Sequence, residues 1–539
     1  MVQAERMGYL MVQGWNERGR VQVLTIGLFL AISFLVSLAG LTALIWAVST
    51  DQFSFGQKQA RIIFIEGEEG HLDDPTAGSG SRDLERASID RTTAWPVSLF
   101  LGAAVVWLVI GSFFGLIASL KLHLPDWLDE NAVLTFGRMR TLHLTMVIYG
   151  WLSLGGIGTA TWITPRIFHS PLRSPRFATW GAIIWNAGLI AGCVAIATGW
   201  TDGEEWLEIP WQIDGLLALG GGLAVVPVLR TAFGRSVDHI YVSGWYFLAA
   251  LCWFPALFII ANIPGLFVGA EQATVNWWFA HNVLGLWLTP LGLGAAYYFI
   301  PKIIGKPVYS YSLSLIGFWA LALFYSQVGI HHLIGGPVPT WVVTLSVVQS
   351  VMMVVPVLAV AINQHVVVAS NLWAFRASLP LRFISLGAMM YTLASVEGSL
   401  EALRSINTVT HFTQFTIAHA HLGAYGFASF ILFGSIYYMM PRITGRAWPW
   451  PGLITVHFWS VLAGFAVYFV ALTIGGLLQG EAMLDAGRPF AQSVILLKPY
   501  LEARSIGGAV MTLGHILLAV NVAGILARSA ADARKGETA

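Results

Sequence analysis

The chain consists almost wholly of apolar runs of about 20 residues or more, separated by short polar stretches. A run that long matches the hydrocarbon core of a bilayer, where every backbone polar group must be satisfied within its own segment, so each run is a membrane-crossing helix. Composition agrees: of 539 residues, 56% are hydrophobic and 11% charged, where a soluble protein carries about a quarter charged residues. The fold class is all-α and polytopic. Spans are expected at about 22–49, 96–121, 140–164, 178–200, 212–229, 240–264, 276–300, 311–333, 341–366, 380–402, 411–441, 454–478 and 505–528, thirteen helices in all. The first is too long for a signal-peptide core and lacks a small-residue cleavage pattern, so it reads as a retained helix within residues 1–50. A polar insert, 51–94, follows it, and a short tail, 531–539, ends the chain. No internal repeat is visible.

Placing the loop after Trp162 inside puts fourteen Lys and Arg in the inside loops from there to the C-terminus, against seven outside. Cytoplasmic loops carry this excess. The C-terminus then faces the cytoplasm, the N-terminus lies outside, and the insert 51–94 lies inside. Cys193 and Cys252 both fall in apolar runs, which leaves no disulfide framework and no cysteine metal site. A net charge of +1 without a basic cluster gives no sign of nucleic-acid binding.

Six histidines need an account. His143 follows FGRMRTL at an outer helix start, His281 sits in NWWFAHNVLG near another, and His331 and His332 form the pair in SQVGIHHLIGG at an outer helix end. His419 and His421 lie in TIAHAHLGAYG, about two turns in from an outer start. All six fall at one level in the outer half of the membrane. Ionisable residues inside a bilayer are costly and mark ligand sites or pathways. A single such histidine is as easily a hydrogen-bonded structural group, but six at one depth are not. Neutral imidazole ligates haem iron and copper. Residues i and i+2 of a helix point about 200° apart, so His419 and His421 serve two objects on opposite faces, two haems, with His143 opposite one of them. His281, His331 and His332 remain for a separate metal facing the other iron. His71, His123, His169 and His239 fall in polar loops, and His365, His457 and His515 read as structural.

The stretches GRMRTLH, WWFAHN, YSQVGIHH and TIAHAH, in this order, resemble the catalytic subunit of haem–copper oxidases, most closely the cbb3-type cytochrome c oxidases. AAYYFIPKIIGKPVYSYSLSLIGFWAL and ASVEGSLEALRSINTVTHFTQFTIAHAH agree, and the resemblance runs from about 97 to about 528. It implies a 12-helix core over 95–530, plus the extra N-terminal helix. It implies a low-spin haem b between His143 and His421, a high-spin haem b3 on His419, and copper on His281, His331 and His332. Tyr325 matches a redox-active tyrosine joined covalently to the copper ligand at the position of His281. Tyr311 and Ser314, about on the face of Tyr325, match a proton channel from the inside, and Glu397 matches a glutamate near that channel's end. Inter-helix hydrogen bonding is the plain alternative for Tyr311 and Ser314. Glu205 and Glu208, in GEEWLE, match a pair that helps bind calcium, a solvated acidic loop being the alternative. His411 matches a histidine near the b3 propionates.

The activity implied is a terminal oxidase in a bacterial inner membrane, reducing O2 to water with electrons from cytochrome c and taking up, and pumping, protons. No CxxCH motif occurs in the sequence, so separate c-type cytochrome subunits are expected as partners. Nitric oxide reductase is the alternative. Those enzymes carry iron in place of copper and a glutamate one turn after the first metal histidine, where this chain has Gly285, and they lack the tyrosine. A purely structural or electron-conduit role leaves Tyr325 and the His331–His332 pair without a purpose.

Overall fold

The computed structural model describes residues 38, 41–53, 56–77, 84–128 and 130–537, the last seven as backbone only. They fall into two compact units. The smaller joins the described residues up to 53 with 264–268, and 41–49 of it are helical. The rest of the helix expected at 22–49 lies outside the described residues. Everything that follows belongs to the larger unit, 55–263 with 269–539.

Among the described residues there is no strand, and twelve helices are long and apolar enough to cross a membrane. They are α1 (Glu85–Lys121), α2 (Phe136–Ile167), α3 (Pro175–Thr198), α4 (Trp211–Phe233), α5 (Val242–Ala261), α6 (Ala270–Ile304), α7 (Tyr311–Leu333), α8 (Thr340–Ala369), α9 (Leu379–Glu401), α10 (Gln414–Thr444), α11 (Pro451–Leu484) and α12 (Phe490–Ala530). Each answers to one expected core span. The ends differ: α1 starts at Glu85 rather than 96, and α12 at Phe490 rather than 505. Hydropathy cannot see the start of α1, because ion pairs support it. Asp90 binds Arg166 at 2.6 Å, and Arg86 donates to the carbonyls of Ile63 and Arg166 at 2.9 Å.

Burial sorts the helices. In α2, α6 and α10, 94%, 89% and 83% of the apolar window is buried, against 39–50% in the other nine. These three inner helices carry His143, His281 and the His419–His421 pair. Each also changes winding directly after its histidine, with π-helical turns over Met146–Ser153, Val283–Leu288 and Leu422–Ser429. A π turn inserts a residue into the ladder and re-aims what flanks it, and such turns concentrate at functional sites. The outer end of α7 tightens instead, to a 3₁₀ helix over Tyr325–Leu333. With three residues per turn, Tyr325, Val328 and His331 stack on one side. In an α-helix, Tyr325 and His331 would be about 120° apart.

The part of the insert at 56–77 docks on the ends of the helices that carry the inside loops. Gly70 N–H donates to the Gly305 carbonyl at 2.7 Å and Asp73 N–H to that of Ile303 at 3.0 Å. Gly305, at φ +73°, is obligatory here, since a Cβ would lie 2.2 Å from the His71 carbonyl oxygen. Buried Glu68 binds Lys302 and lies 3.7 Å from Arg86. Asp73 accepts from the Tyr438 hydroxyl at 2.6 Å and from Arg442. Cations expected from the inside loops are thus neutralised by the insert's own carboxylates. Burial pulls the Asp73 pKa up, but Arg442, Tyr438, Lys302 and Arg166 outweigh this and hold it below its ordinary 3.8. The pair's stabilisation is therefore complete above that value and is lost as pH falls through the lowered one. Asp73→Asn is expected to weaken the docking of 56–77 by on the order of 3 kcal/mol, the cost of breaking a buried pair. Faster hydrogen exchange confined to that segment, growing milder relative to wild type in acid, is the measurable consequence.

Candidate functional site

His143, near the start of α2, and His421, on α10, face each other with ring centroids 6.4 Å apart and planes within 11°. His143 Nδ1–H donates to the Gly111 carbonyl and His421 Nδ1–H to the Ile417 carbonyl, each at 2.8 Å. A carbonyl can only accept, so both protons sit on Nδ1 and both Nε2 lone pairs are left for a ligand. The Tyr468 hydroxyl lies 3.1 Å from His421 Nε2, the lone pair so exposed. Two near-parallel imidazoles whose Nδ1 protons are both bound elsewhere are a donor set that would suit a haem iron.

His419 turns to the other face of α10, as the two-residue spacing requires. Its Nδ1 donates to Glu397 Oε2 at 3.2 Å, and Glu401 Oε2 stands 3.8 Å away. Glu401 was not anticipated from the sequence, although it follows Glu397 at i+4 and so shares its helix face. Across one cavity from His419 stand His281, His331, His332 and Tyr325. The three histidines offer nitrogens that all lie within 4.8 Å of one another. Ser350 donates its hydroxyl proton to the Ser346 carbonyl at 2.8 Å, which leaves its oxygen to accept from His331 Nδ1 at 3.0 Å. His331 therefore presents Nε2 to the cluster. Trp277 stacks on His332 at 4.2 Å and 9°. His281 Nδ1 is buried without a hydrogen-bond partner, as expected of a nitrogen reserved for a metal.

The Tyr325 ring lies 5.2 Å from that of His281. It occupies the space beside Gly285, where a Cβ would fall 1.6 Å from Tyr325 Cε1. A side chain at 285 and a tyrosine at 325 exclude each other.

Toward the inner side, Tyr311 is buried and its hydroxyl lies 2.7 Å from His239 Nε2. Ser314 is also buried, but its hydroxyl donates to the Tyr311 carbonyl at 2.6 Å, the back-bond of an ordinary helix serine. Further buried polar groups were not singled out by the sequence alone. The buried hydroxyls of Tyr246, Tyr297 and Tyr391 and the amide of Gln364 lack a partner of standard geometry, with Asn363 beside Tyr297 and Ser395 beside Tyr391. Buried groups of this kind are normally satisfied by ordered water. Tyr391 lines the same cavity as Tyr325.

On the outer side, Glu205 binds Arg140 at 2.6 Å, and Asn276, five residues before His281, grips the Glu205 backbone at 3.0 and 3.3 Å. Glu208 is buried with both carboxylate oxygens unpartnered. Burial, then the charge of Glu205, pushes its pKa up to about 8. Such oxygens suit a hard cation. His411 is half-buried, its ring stacked on Phe412 at 3.9 Å; burial lowers its pKa, and a hydrogen bond to the His332 backbone opposes this. His365, His457 and His515 bond to Thr392, Tyr437, and Ser112 with Tyr425 respectively, at 2.8–2.9 Å, as structural histidines do.

An all-helical membrane protein with histidines arranged in this way falls in the haem–copper class, and comparison with known proteins agrees. Residues 96–510 match the family described as cytochrome c and quinol oxidase polypeptide I. The chain belongs to this family, as a subunit I of the haem–copper oxidases. It is 31% identical to the cbb3-type cytochrome c oxidase subunit CcoN1 of Stutzerimonas stutzeri, over 79% of this chain and 93% of that protein. It is 32% identical to a cytochrome c oxidase subunit 1 homolog of Agrobacterium tumefaciens (strain T37), over 78% and 81%. A nitric oxide reductase protein of Stutzerimonas stutzeri is more distant, 26% identical over 64% of this chain and 74% of that one. A chain of a haem–copper terminal oxidase dimer solved by cryo-EM shares the fold, with a TM-score of 0.65 and 16% identity over 83% of this chain and 84% of that one.

Membership implies haem and copper, and the residues fit both: paired Nε2 lone pairs for an iron, and an all-imidazole triad without a carboxylate for copper. Gly285→Ala is expected to drive Tyr325 off His281 and weaken copper binding roughly 10–100-fold, as loss of a supporting contact does. The His143–His421 pair takes no part in that contact. Elemental analysis of the variant complex, read with its haem spectrum, separates the two effects.

Proposed function

We propose that the chain is the catalytic subunit of a cbb3-type cytochrome c oxidase. In this reading His143 and His421 hold a low-spin haem b, His419 holds a high-spin haem b3, and His281, His331 and His332 hold copper. The observation that carries it is the single cavity in which His419 faces the histidine triad, with Tyr325 packed into the space over Gly285. The haem irons and the copper, when bound, supply the electron transfer that reduces dioxygen to water.

The chain's own residues do the rest. Glu397 accepts the His419 Nδ1 proton, which fixes the ring and raises the basicity of Nε2. The Tyr325 hydroxyl holds a proton, and its ring an electron, at the edge of the cavity. Tyr311 and Ser314 lie at the inner end of the route that re-protonates it, with Tyr297, Tyr246 and Tyr391 as intermediate hydroxyls. Glu205 and Glu208 bind a calcium ion beside the loop that Asn276 ties to α6, and His411 supports the site next to His332. Electrons arrive from cytochrome c through separate c-type cytochrome subunits, since this chain has no attachment motif for such a haem.

Metal and haem analysis of the purified complex, with O2 and NO consumption, tests the reading. Two b-type haems and one copper per chain with rapid O2 uptake are expected. Non-haem iron in place of copper, with NO turnover and little O2 uptake, would sink it. Tyr325→Phe is expected to keep both haems and lower O2 reduction by about 10²-fold or more, the scale of a lost positioned proton donor. Glu208→Gln should abolish calcium binding, measured on the complex by elemental analysis after chelation and washing, while copper content is unchanged.

A further inference from the structure

The loop before α5 and the insert meet at the inner end of α7. His239 is half-buried, while Tyr311, whose hydroxyl lies 2.7 Å from His239 Nε2, is 1% exposed. His239 thus places a partly exposed imidazole, with Nδ1 buried and Nε2 on the Tyr311 hydroxyl, against a buried tyrosine. From the insert, Gln57 Nε2 donates to the Val308 carbonyl at 2.6 Å, and Gln57 Oε1 accepts from the Tyr311 N–H at 3.2 Å. From α8, Asn363 holds the Ser310 backbone through both its amide groups at 2.8 and 2.9 Å. The first turn of α7 is therefore fastened from two sides, and the Tyr311 hydroxyl is held in reach of the imidazole.

We propose that His239 is the proton donor to Tyr311 at the inner mouth of the route to Tyr325, and that the insert, through Gln57, is the positioning element of that mouth. This rests on the reading that Tyr311 belongs to a proton route. Two buried acids of the insert are already engaged elsewhere, Glu68 with Lys302 beside Arg86, and Asp73 with Arg442 and Tyr438. Imidazole is the side chain whose ordinary pKa, about 6.5, lets it take a proton from water near neutrality and pass it on. In the step, the His239 Nε2–H bond breaks as the proton moves to the Tyr311 oxygen, and the hydroxyl's own proton, which the Ile240 carbonyl accepts at 3.4 Å, is released in exchange. The neutral imidazole then regains a proton from the inner water. One proton enters, one leaves, and no electron is needed.

The test uses the detergent-purified oxidase complex with its cofactors, reading proton uptake by a pH dye and O2 turnover together. His239→Gln is expected to slow both roughly ten- to a hundredfold with an unchanged haem spectrum, and free imidazole in the medium is expected to restore a large part of the rate. Tyr311→Phe is expected to be slow and not restored. Wild-type rates in His239→Gln alongside a slow Tyr311→Phe overturn this inference and leave the route intact; wild-type rates in both overturn the route as well. A slow His239→Gln that imidazole does not restore assigns His239 a structural role and also overturns the inference. Should that variant fail to assemble, Gln57→Ala decides, since it removes the insert's hold on Tyr311 without touching a titratable group: slowed proton uptake is expected, and wild-type uptake overturns the inference.

Discussion

A neutral imidazole inside a membrane has one N–H that must be satisfied and one lone pair left over. The site is arranged around that asymmetry. Gly111 and Ile417 carbonyls take the Nδ1 protons of His143 and His421, Glu397 takes that of His419, and Ser350 takes that of His331. Every one of these bonds commits the other nitrogen to face inward. The backbone, the serine and the glutamate thus decide the tautomers, and the tautomers decide where metals can sit. An unsatisfied N–H in such surroundings would cost the fold what the ligand is meant to gain.

The helices that carry those rings are irregular beside them. Regular α-helical winding would spread Tyr325 and His331 around α7; the 3₁₀ stretch brings them to one side. Regular winding after His143, His281 and His421 is broken three times by π turns, all on the most buried helices. These turns lie in the helices whose apolar stretches are the most buried, so packing on every side holds the irregular winding in place.

This is also where the sequence stops being informative. The six histidines were legible because a polar group in an apolar run stands out against its neighbours, and the i, i+2 spacing of His419 and His421 already demanded two faces. Glu397 was legible for the same reason. Glu401 was passed over although its i+4 spacing from Glu397 was in plain view. Tyr246, Tyr297 and Tyr391 were not legible, since a tyrosine in a membrane helix looks like any aromatic until its hydroxyl is found buried without a partner of standard geometry. His239 looked like a loop histidine because its partner is 72 residues away in the chain. The start of α1 was missed because charges that bind Arg166 and the Ile63 carbonyl read, in one dimension, as a polar loop.

The clash between Gly285 and Tyr325 makes these two positions a single character rather than two. A sequence drifting one substitution at a time cannot acquire a side chain at 285 while the tyrosine stays, and losing the tyrosine first empties the wall of the cavity. The order of change is therefore fixed: Tyr325 has to be replaced before a side chain can enter at 285 without displacing it.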